Sequence, residues 1–231
     1  MGNYEIALFD LDGTLSESGE GILDCVRMIF KEMDRPLPDE KSIAAFIGPP
    51  MYDSLKRCGF SHEDAQVGVE IYKKNFIKTG IYKNKLYDGI FGVLDELKAK
   101  GVRLGVASTK YQVFTDKIID MLRVREYFEV VGGSTSLTGE TDSVTAPRRS
   151  KIDVMNYVIG ALRKSPDDRV VMIGDTRYDA DGAAKVGCDF IGCLFGYGTK
   201  EEMEEYYTIG KPFFVGKPLE ITEIILGGNE L

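Results

Sequence analysis

The chain is almost without histidine, and this absence excludes two common kinds of site. His62 is the only histidine among 231 residues. Ser61 just before it matches a helix N-cap, with Asp64 three residues on. We therefore expect His62 at the surface, and we exclude a histidine-based catalytic triad and a histidine-rich zinc site.

Cysteine is also scarce, and its spacing is uninformative for metal or redox chemistry. No two of the four cysteines form a C-x-x-C pair, and such isolated thiols are typical of buried or half-buried positions in a reducing compartment. They are Cys25, Cys58, Cys188 and Cys193.

Excess positive charge and long apolar runs are missing as well. The formal net charge is −8, whereas a nucleic-acid polymer usually requires a basic face, so none is expected as a partner. No apolar stretch approaches the length that spans a bilayer, and residues 1–5 lack the basic start and apolar stretch of a signal peptide. We expect a cytoplasmic protein with no membrane partner. Its length is sufficient for a full core and a smaller second unit.

What the chain does contain is an aspartate pair at the end of an apolar run. Residues 6–9 (IALF) carry no charge and predict a buried parallel strand, and ligands bind beyond the carboxyl ends of such strands. Asp10 and Asp12 follow at once and project to the same side. They repel unless a cation separates them or one takes up a proton. A bound Mg²⁺ satisfies the first condition and proton exchange by Asp12 the second. The alternative is an ordinary Asp-Gly turn.

A second apolar run ends in the same way far downstream. Residues 170–173 (VVMI) are uncharged and are followed by Gly174, Asp175 and, four residues later, Asp179. Two strands that end in acidic loops predict one acidic, metal-binding pocket built from distant parts of the chain. Alternatively, both carboxylates only complement the dipole of a helix that begins there.

Together with two further segments, these runs resemble the four motifs of the haloacid dehalogenase-like (HAD) hydrolase superfamily, in the order typical of that family. The first motif is D-x-D-G-T at 10–14 and the fourth is G-D-x-x-x-D at 174–179. The second is a hydrophobic strand, 102–107, that ends in Ser108. The third is a lysine that begins a helix; here it is Lys151, in R-R-S-K-I-D, without the proline that usually follows.

The resemblance implies a role for each motif residue in phosphoryl transfer. Asp10 is the nucleophile, Asp12 the general acid and base, and Lys151 the cation that offsets negative charge on the transferring group. Mg²⁺ is the implied cofactor, with Asp179 orienting the metal ligands more than binding directly. The implied metal residues are Asp10, Asp12 through its backbone carbonyl, Asp175 and Asp179. The implied phosphate-binding residues are Gly13, Ser108, Thr109 and Arg148.

Three of these residues have simpler alternatives. Ser108 and Thr109 also suit the N-cap of a helix that begins near Tyr111. Lys151 also suits a solvated lysine in the first turn of a helix.

The order of elements predicts an α/β fold: a doubly wound parallel sheet (Rossmann-like) with an inserted all-helical unit. Helices are predicted at 21–33, 41–47, 51–58 and 63–78, followed by alternating helices at 91–100, 111–122, 151–162 and 180–186. The later strands are predicted at 102–107, 128–131, 170–173, 190–194 and 213–215. The family resemblance implies a HAD core of residues 1–16 and 84–231 and a C1-type helical cap of residues 17–83.

Two connecting segments and one loop complete the interpretation. Small, flexible residues at 16–19 and 84–89 suit hinges for a moving lid, and a rigidly docked subdomain is the alternative. The loop F-I-G-P-P at 46–50 resembles the phosphoglycolate phosphatase and 5′-nucleotidase branch, although it could merely join two helices.

The resulting hypothesis is a Mg²⁺-dependent phosphatase that hydrolyses a small phosphomonoester, of the phosphoglycolate or nucleotide 5′-monophosphate type, through an aspartyl-phosphate. Its partner is a small phosphate ester, and the protein is a monomer or weak homodimer. A β-phosphoglucomutase-like isomerase and a non-catalytic binding module of the same fold are the alternatives. A haloacid dehalogenase should lack the second aspartate, and Asp12 is present.

Overall fold

A six-stranded parallel sheet forms the centre of the computed structural model, which describes residues 4–135 and 148–227. The described strands are β1 (Ile6–Phe9), β2 (Ser16–Glu17), β3 (Lys85–Leu86), β4 (Arg103–Tyr111), β5 (Val130–Ser134), β6 (Val170–Gly174), β7 (Asp189–Cys193) and β8 (Phe213–Val215). The parallel sheet has the order β5-β4-β1-β6-β7-β8. β2 and β3 form a separate antiparallel pair.

Strand β1 lies in the middle of this sheet and is completely buried. Its last residue, Phe9, is in register with Val106 of β4 on one side and with Ile173 of β6 on the other. The carboxyl ends of the three strands therefore meet at one edge of the sheet. This register brings the first, second and fourth motifs together although they are far apart in sequence.

Helices cover both faces of the sheet because the buried strand residues alternate between two cores. Ile6 and Leu8 of β1 pack into one apolar cluster, and Ala7 and Phe9 pack into the other. The described helices are α1 (Gly19–Glu32), α2 (Glu40–Ala44), α3 (Met51–Arg57), α4 (His62–Lys78), α5 (Ile90–Ala99), α6 (Gln112–Met121), α7 (Lys151–Leu162), α8 (Arg177–Val186), α9 (Lys200–Tyr206) and α10 (Glu220–Leu226). Across 4–135 and 148–227, no helix combines the length and apolarity needed to cross a bilayer.

Helices α1 to α4 form a layer of their own between β2 and β3. The buried face of α1 carries Ile22, Val26 and Ile29 at helical spacing and packs against α4. The Phe30 ring packs edge-to-face against the rings of Phe46 and Phe60, and the ring centroids are 6.2 and 5.4 Å apart. The apolar interior of this layer is continuous with the cluster on one face of the sheet, for example through Phe76 and Phe114, whose ring centroids are 5.1 Å apart.

The connections to this layer are more ordered than the sequence suggested. Ser16 pairs with Leu86 and Glu17 with Lys85 in the antiparallel β2–β3 ribbon. The Ser16 hydroxyl also donates to Asn84 Oδ1 over 3.0 Å. Both segments were predicted to be hinges; the pairing shows that the two run side by side, and their hinge motion stays a prediction. The division into a core and a moving cap of residues 17–83 stays a prediction.

The predicted α/β class and doubly wound sheet are confirmed, whereas several boundaries differ. β4 continues to Tyr111 instead of ending near residue 107. α8 begins at Arg177 instead of residue 180, because Thr176 and Asp179 form a capping box there. Four short elements, β2, β3, α9 and α10, were not predicted, since two strand residues or seven helical residues give too little periodicity to recognise.

Candidate active site

Asp10, Asp179 and Lys151 form a buried ion-pair network at the carboxyl edge of the sheet. Lys151 Nζ lies 2.6 Å from Asp10 Oδ1 and 2.7 Å from Asp179 Oδ1, and it also donates to the carbonyl of Ala107 over 2.8 Å. Asp10 and Lys151 are each only 7% exposed and Asp179 is 1% exposed. One ammonium therefore ties the end of β1 to the start of α8.

Helix geometry explains why Lys151 reaches this position. Lys151 is the first residue of α7, and Ser150 before it is the N-cap of a capping box with Asp153. α7 packs against β4 and β5, and its first side chain reaches the carbonyl of Ala107 in β4. The alternative of a solvated lysine is wrong, and the sequence without the usual proline still places the lysine in the pocket.

Asp175 is held by two hydrogen bonds beside this network. Thr14 Oγ1 donates to Asp175 Oδ1 over 3.2 Å, and the N–H of Tyr197 donates to Oδ2 over 2.8 Å. Gly13 lies against the same carboxylate: its φ is +88°, and a Cβ there would stand 2.1 Å from Asp175 Oδ2. Both the left-handed backbone and the close approach require glycine at this position.

Asp179 takes part in the capping box of helix α8 and also faces Lys151 in the pocket. Its Oδ2 accepts hydrogen bonds from the N–H and the hydroxyl of Thr176, which caps helix α8, while Oδ1 faces Lys151. The helix-start alternative is therefore correct for this residue. It does not compete with a role in the pocket, because each oxygen serves one purpose.

Asp12 has a partner that the sequence analysis missed. Lys110 Nζ lies 2.8 Å from Asp12 Oδ2, with the lysine side chain only 6% exposed. The same ammonium stands 4.6 Å from the centre of the Phe76 ring on α4. Asp12 Oδ1 is buried without a hydrogen-bond partner among the described residues. A signal was present in the S-T-K sequence at 108–110, but a lysine after a strand is too common to single out alone.

Ser108 and Thr109 lie within β4 and not at a helix N-cap. Ser108 is 2% exposed, and its hydroxyl accepts from the N–H of Lys110 over 3.3 Å. Thr109 Oγ1 donates to the carbonyl of Gly48 over 3.0 Å. The N-cap alternative is wrong because the strand runs past both residues. The second motif thereby touches the 46–51 loop of the helical layer, so that loop does more than join two helices.

Arg148 is directed towards the end of β5. Its Nε donates to the carbonyl of Gly133 and its Nη2 to Gln112 Oε1, over 2.9 and 2.8 Å. The guanidinium also lies 4.1 Å from the centre of the Tyr157 ring. None of these contacts joins Arg148 to the acidic pocket, so its predicted contact with phosphate remains a prediction that would need movement.

Burial and mutual repulsion shift the ionisation of the pocket. Burial raises the pKa of Asp10 to about 6, with smaller increases from Asp179 and Asp12 and an opposing effect of Lys151. Burial also raises the pKa of Asp175 well above its ordinary value, and the charges of Asp179 and Asp10 add to the effect. For Lys151, burial alone lowers the pKa, but attraction to the two carboxylates outweighs it and the pKa is raised.

A divalent cation fits these residues. Asp10, Asp175 and Asp179 each offer an oxygen, and the three oxygens lie within 4.8 Å of one another. With Asp12, the pocket holds four carboxylates against the ammonium groups of Lys110 and Lys151. When all are ionised, two negative charges remain uncompensated, which matches the charge of one Mg²⁺. Hard oxygen donors are the ligands that Mg²⁺ prefers.

A small cavity adjoins this pocket on the side of the helical layer. Its volume is about 60 Å³, and it is bounded by Asp12, Thr109 and Lys110 on one side. The opposite wall is largely apolar and includes Ile22, Phe46, Gly48, Pro49, Pro50 and Met51. A substrate that enters here would have its reacting end towards the acidic residues and its remainder against the apolar wall.

The comparisons with known proteins agree with this geometry. Residues 7–193 match the family model described as haloacid dehalogenase-like hydrolase. The chain belongs to this family. The membership predicted from the four motifs is confirmed, and the matched range includes the pocket residues of all four.

Relatives of this hydrolase carry names from more than one activity. It is 33% identical over 204 residues to the tyrosine-protein kinase PtkA of Mycobacterium tuberculosis, covering 88% of this chain and 67% of the relative. It is 31% identical over 204 residues to a 5′-nucleotidase of Pseudomonas aeruginosa, covering 88% of each chain. It is 27% identical over 210 residues to a phosphoglycolate phosphatase of Aquifex aeolicus, covering 90% of this chain and 92% of the relative.

A solved structure supports the same class of enzyme. The fold superposes on the crystal structure of a predicted phosphatase from Clostridium acetobutylicum with a TM-score of 0.85 and 36% identity, over 97% of this chain and 99% of the other. With the family match and the phosphatase names among its relatives, this identifies the chain as a HAD-like phosphatase. The predicted branch, with phosphoglycolate phosphatases and 5′-nucleotidases, is confirmed.

Proposed function

We propose that this phosphatase hydrolyses small phosphomonoesters with Mg²⁺ and forms an aspartyl-phosphate on Asp10. The observation that carries the proposal is the buried network of Asp10, Lys151 and Asp179 beside Asp175 at the carboxyl edge of the sheet. It combines a carboxylate nucleophile, a fixed cation and a set of oxygen donors within a few ångströms. These are the components that phosphoryl transfer requires.

The reaction would proceed in two displacements. An Asp10 carboxylate oxygen attacks phosphorus, the ester P–O bond breaks, and Asp12 gives its proton to the leaving alkoxide. Water then attacks the phosphorus of the aspartyl-phosphate, Asp12 takes a proton from that water, and the Asp10 carboxylate is released. Asp12 lies two residues after Asp10 and borders the cavity, where the leaving group would lie.

The metal would be held by the carboxylates of Asp10 and Asp175 and the backbone carbonyl of Asp12, with Asp179 orienting the site. Bound there, Mg²⁺ would supply charge neutralisation for the phosphate oxygens. Lys151 offsets negative charge on the same group, and Ser108 offers its hydroxyl. Backbone N–H groups at Gly13 and the Thr109 side chain complete the proposed phosphate site.

The size of the cavity favours a compact leaving group. About 60 Å³ accommodates only a few atoms, since one water needs roughly 10–15 Å³ on this measure. A two-carbon acid is closer to this size than a nucleoside is. Lys110 is the one cation among the residues that line this cavity, and it suits a carboxylate. We therefore place phosphoglycolate-type esters before nucleotide 5′-monophosphates.

The test is a panel assay in Mg²⁺ with and without excess chelator. The panel contains p-nitrophenyl phosphate, 2-phosphoglycolate, AMP, and β-glucose 1-phosphate with and without a sugar bisphosphate. Phosphate release that needs Mg²⁺, is weakly supported by Ca²⁺ and is fastest with 2-phosphoglycolate is the expected result. Undiminished turnover in chelator contradicts the metal-assisted mechanism. Isomer formation only with bisphosphate supports a mutase, and no reaction supports a binding module.

One relative is named a tyrosine-protein kinase, so the same assay includes ATP with a tyrosine-containing peptide. Hydrolysis requires water as the final acceptor, and we expect free phosphate and unmodified peptide.

We propose that the enzyme is cytoplasmic, in keeping with its four free cysteines. We propose further that it acts on a small phosphate ester as a monomer or weak homodimer.

A further inference from the structure

Tyr197 contacts both the acidic pocket and the first turn of the helical layer. It lies in the loop between β7 and α9, and its backbone N–H donates to Asp175 Oδ2 over 2.8 Å. Its phenol oxygen accepts from the N–H of Ser18 over 2.9 Å and from the N–H of Gly19 over 2.6 Å. A single residue thus connects a candidate metal ligand to the start of α1.

The hydroxyl of Tyr197 accepts from two backbone N–H groups at the start of α1, where the N-cap residue supplies no side-chain acceptor. The first N–H groups of a helix have no partner inside the helix and usually bond to an N-cap side chain. Ser18 is the N-cap of α1, yet its side chain makes no capping hydrogen bond, and its Oγ is buried without a partner in the described part of the chain. The acceptor at this helix start is therefore Tyr197, which lies 179 residues after Ser18.

Close packing keeps the tyrosine ring in place between two glycines. A Cβ on Gly13 would stand 2.7 Å from the ring carbon Cδ2, and a Cβ on Gly19 would stand 2.9 Å from Cε1. Gly196 immediately precedes Tyr197, and a Cβ there would stand 2.3 Å from the Cβ of Asp175. Because nothing larger than glycine fits at these points, the ring, Asp175 and the start of α1 have little freedom to move separately.

We propose that Tyr197 is a positioning residue that couples the Asp175 carboxylate to the first turn of α1. Metal binding at the acidic pocket and the position of the helical layer then favour each other, and the coupling is reciprocal. This inference rests on the proposed function only for the identity of the metal. It assigns Tyr197 no contact with the substrate.

The test is hydrogen–deuterium exchange of the full chain, titrated with Mg²⁺ alone. In the wild-type protein, Mg²⁺ should slow exchange at the amides of Ser18 and Gly19. Tyr197→Phe keeps the ring and the N–H donated to Asp175 but removes the hydroxyl. We expect it to raise exchange at these two amides about fivefold without metal, as the loss of one hydrogen-bond acceptor does. We also expect the response to Mg²⁺ to disappear.

Three further variants make the result specific. Gly19→Ala pushes against the ring from the side of α1 and should weaken the same response. Tyr207→Phe removes another buried tyrosine hydroxyl, which donates to the Cys188 carbonyl over 3.1 Å. Gly160→Ala adds a methyl group where nothing lies within 4 Å of the new Cβ. Both of these controls should keep the wild-type response of Ser18 and Gly19.

The outcomes separate this inference from the proposed function. If wild-type protein binds Mg²⁺ by calorimetry but the exchange of Ser18 and Gly19 does not respond, the coupling is refuted and the metal site stands. A wild-type response that persists in Tyr197→Phe also refutes it. If the wild-type protein binds no Mg²⁺, the proposed function and the coupling to metal both fail.

Discussion

The carboxyl edge of the sheet and the helical wall opposite it hold their side chains by different forces. At the edge, Asp10, Asp179 and Lys151 are fixed by ion pairs of 2.6 and 2.7 Å in a fully buried setting. The wall consists mainly of apolar residues, and Thr109 and Gly48 share one of the few hydrogen bonds across the gap. Charge fixes the reacting groups, whereas apolar packing shapes the space for the rest of the substrate.

This contrast indicates a division of labour. Buried charges are costly to misplace, so changes at the edge should affect the chemical step strongly for every substrate. Apolar walls tolerate changes of shape more readily, so changes there should mainly alter which substrate is preferred. The predictions below test this division in order of decreasing expected effect.

The largest effect is expected at Lys151. Lys151→Met keeps the side-chain length and removes the charge between Asp10 and Asp179, and kcat should fall on the order of 10²-fold or more for all substrates. Steady-state kinetics with p-nitrophenyl phosphate and 2-phosphoglycolate measure this. Lys185→Met is the matched control, because Lys185 pairs with Asp181 on the exposed side of α8. A loss below threefold at Lys151 would show that its charge is not used in catalysis.

A substrate-dependent effect is expected at Lys110, which belongs to both regions. Lys110→Met retains packing on Phe76 but removes the charge that faces Asp12 and the cavity. We expect kcat/KM for 2-phosphoglycolate to fall about tenfold more than for 2-hydroxyethyl phosphate, which has a hydroxymethyl group in place of the carboxylate. Lys117→Met is the control, since Lys117 also lies near an aromatic ring, that of Tyr82. Equal losses for both esters would mean that Lys110 acts only through Asp12.

Stability of the metal-free protein should depend on pH because of Asp10. Its pKa of about 6 in the folded protein lies above the ordinary value of 3.8, so the folded chain binds more protons than the unfolded chain between these values. This contribution to stability is full below pH 4 and is lost as the pH rises through 6, and it amounts to at most about 3 kcal/mol. Thermal unfolding in chelator measures it, and Mg²⁺ should restore stability above pH 6. Asp10→Asn should remove the part of the dependence near pH 6 while the part contributed by Asp175 remains, and an unchanged profile would contradict it.

The smallest effect is expected at Arg148. Its contacts with Gly133, Gln112 and Tyr157 lie at the end of β5, outside the ion-pair network. Arg148→Ala should therefore raise KM about two- to fivefold and change kcat less. Arg149→Ala is the matched control on the neighbouring residue. If Arg148→Ala reduced kcat as much as Lys151→Met, the third motif would be misassigned and an arginine would neutralise the phosphate.

The sequence predicted the acidic edge better than the wall for a physical reason. Asp10, Asp175 and Lys151 had to follow buried strands or begin a helix, and those positions are visible as apolar runs and turn residues. The Lys110–Asp12 pair and the Tyr197 contact depend on how distant segments pack, which no local spacing records. Likewise, β2 and β3 are ordered by pairing with each other and have no periodicity of their own. The helices α9 and α10 are likewise too short to show a recognisable helical period.

The central claim is that Asp10 becomes phosphorylated, and it can be measured directly. Asp12→Asn should still form the aspartyl-phosphate from p-nitrophenyl phosphate, a substrate with a good leaving group, but hydrolyse it slowly. After reaction in Mg²⁺, acid quenching and borohydride reduction, mass spectrometry should find homoserine at position 10 of this variant. It should find none in the variant that also carries Asp10→Asn. Burst release of nitrophenol without modification of Asp10, or modification of another residue, would contradict the account.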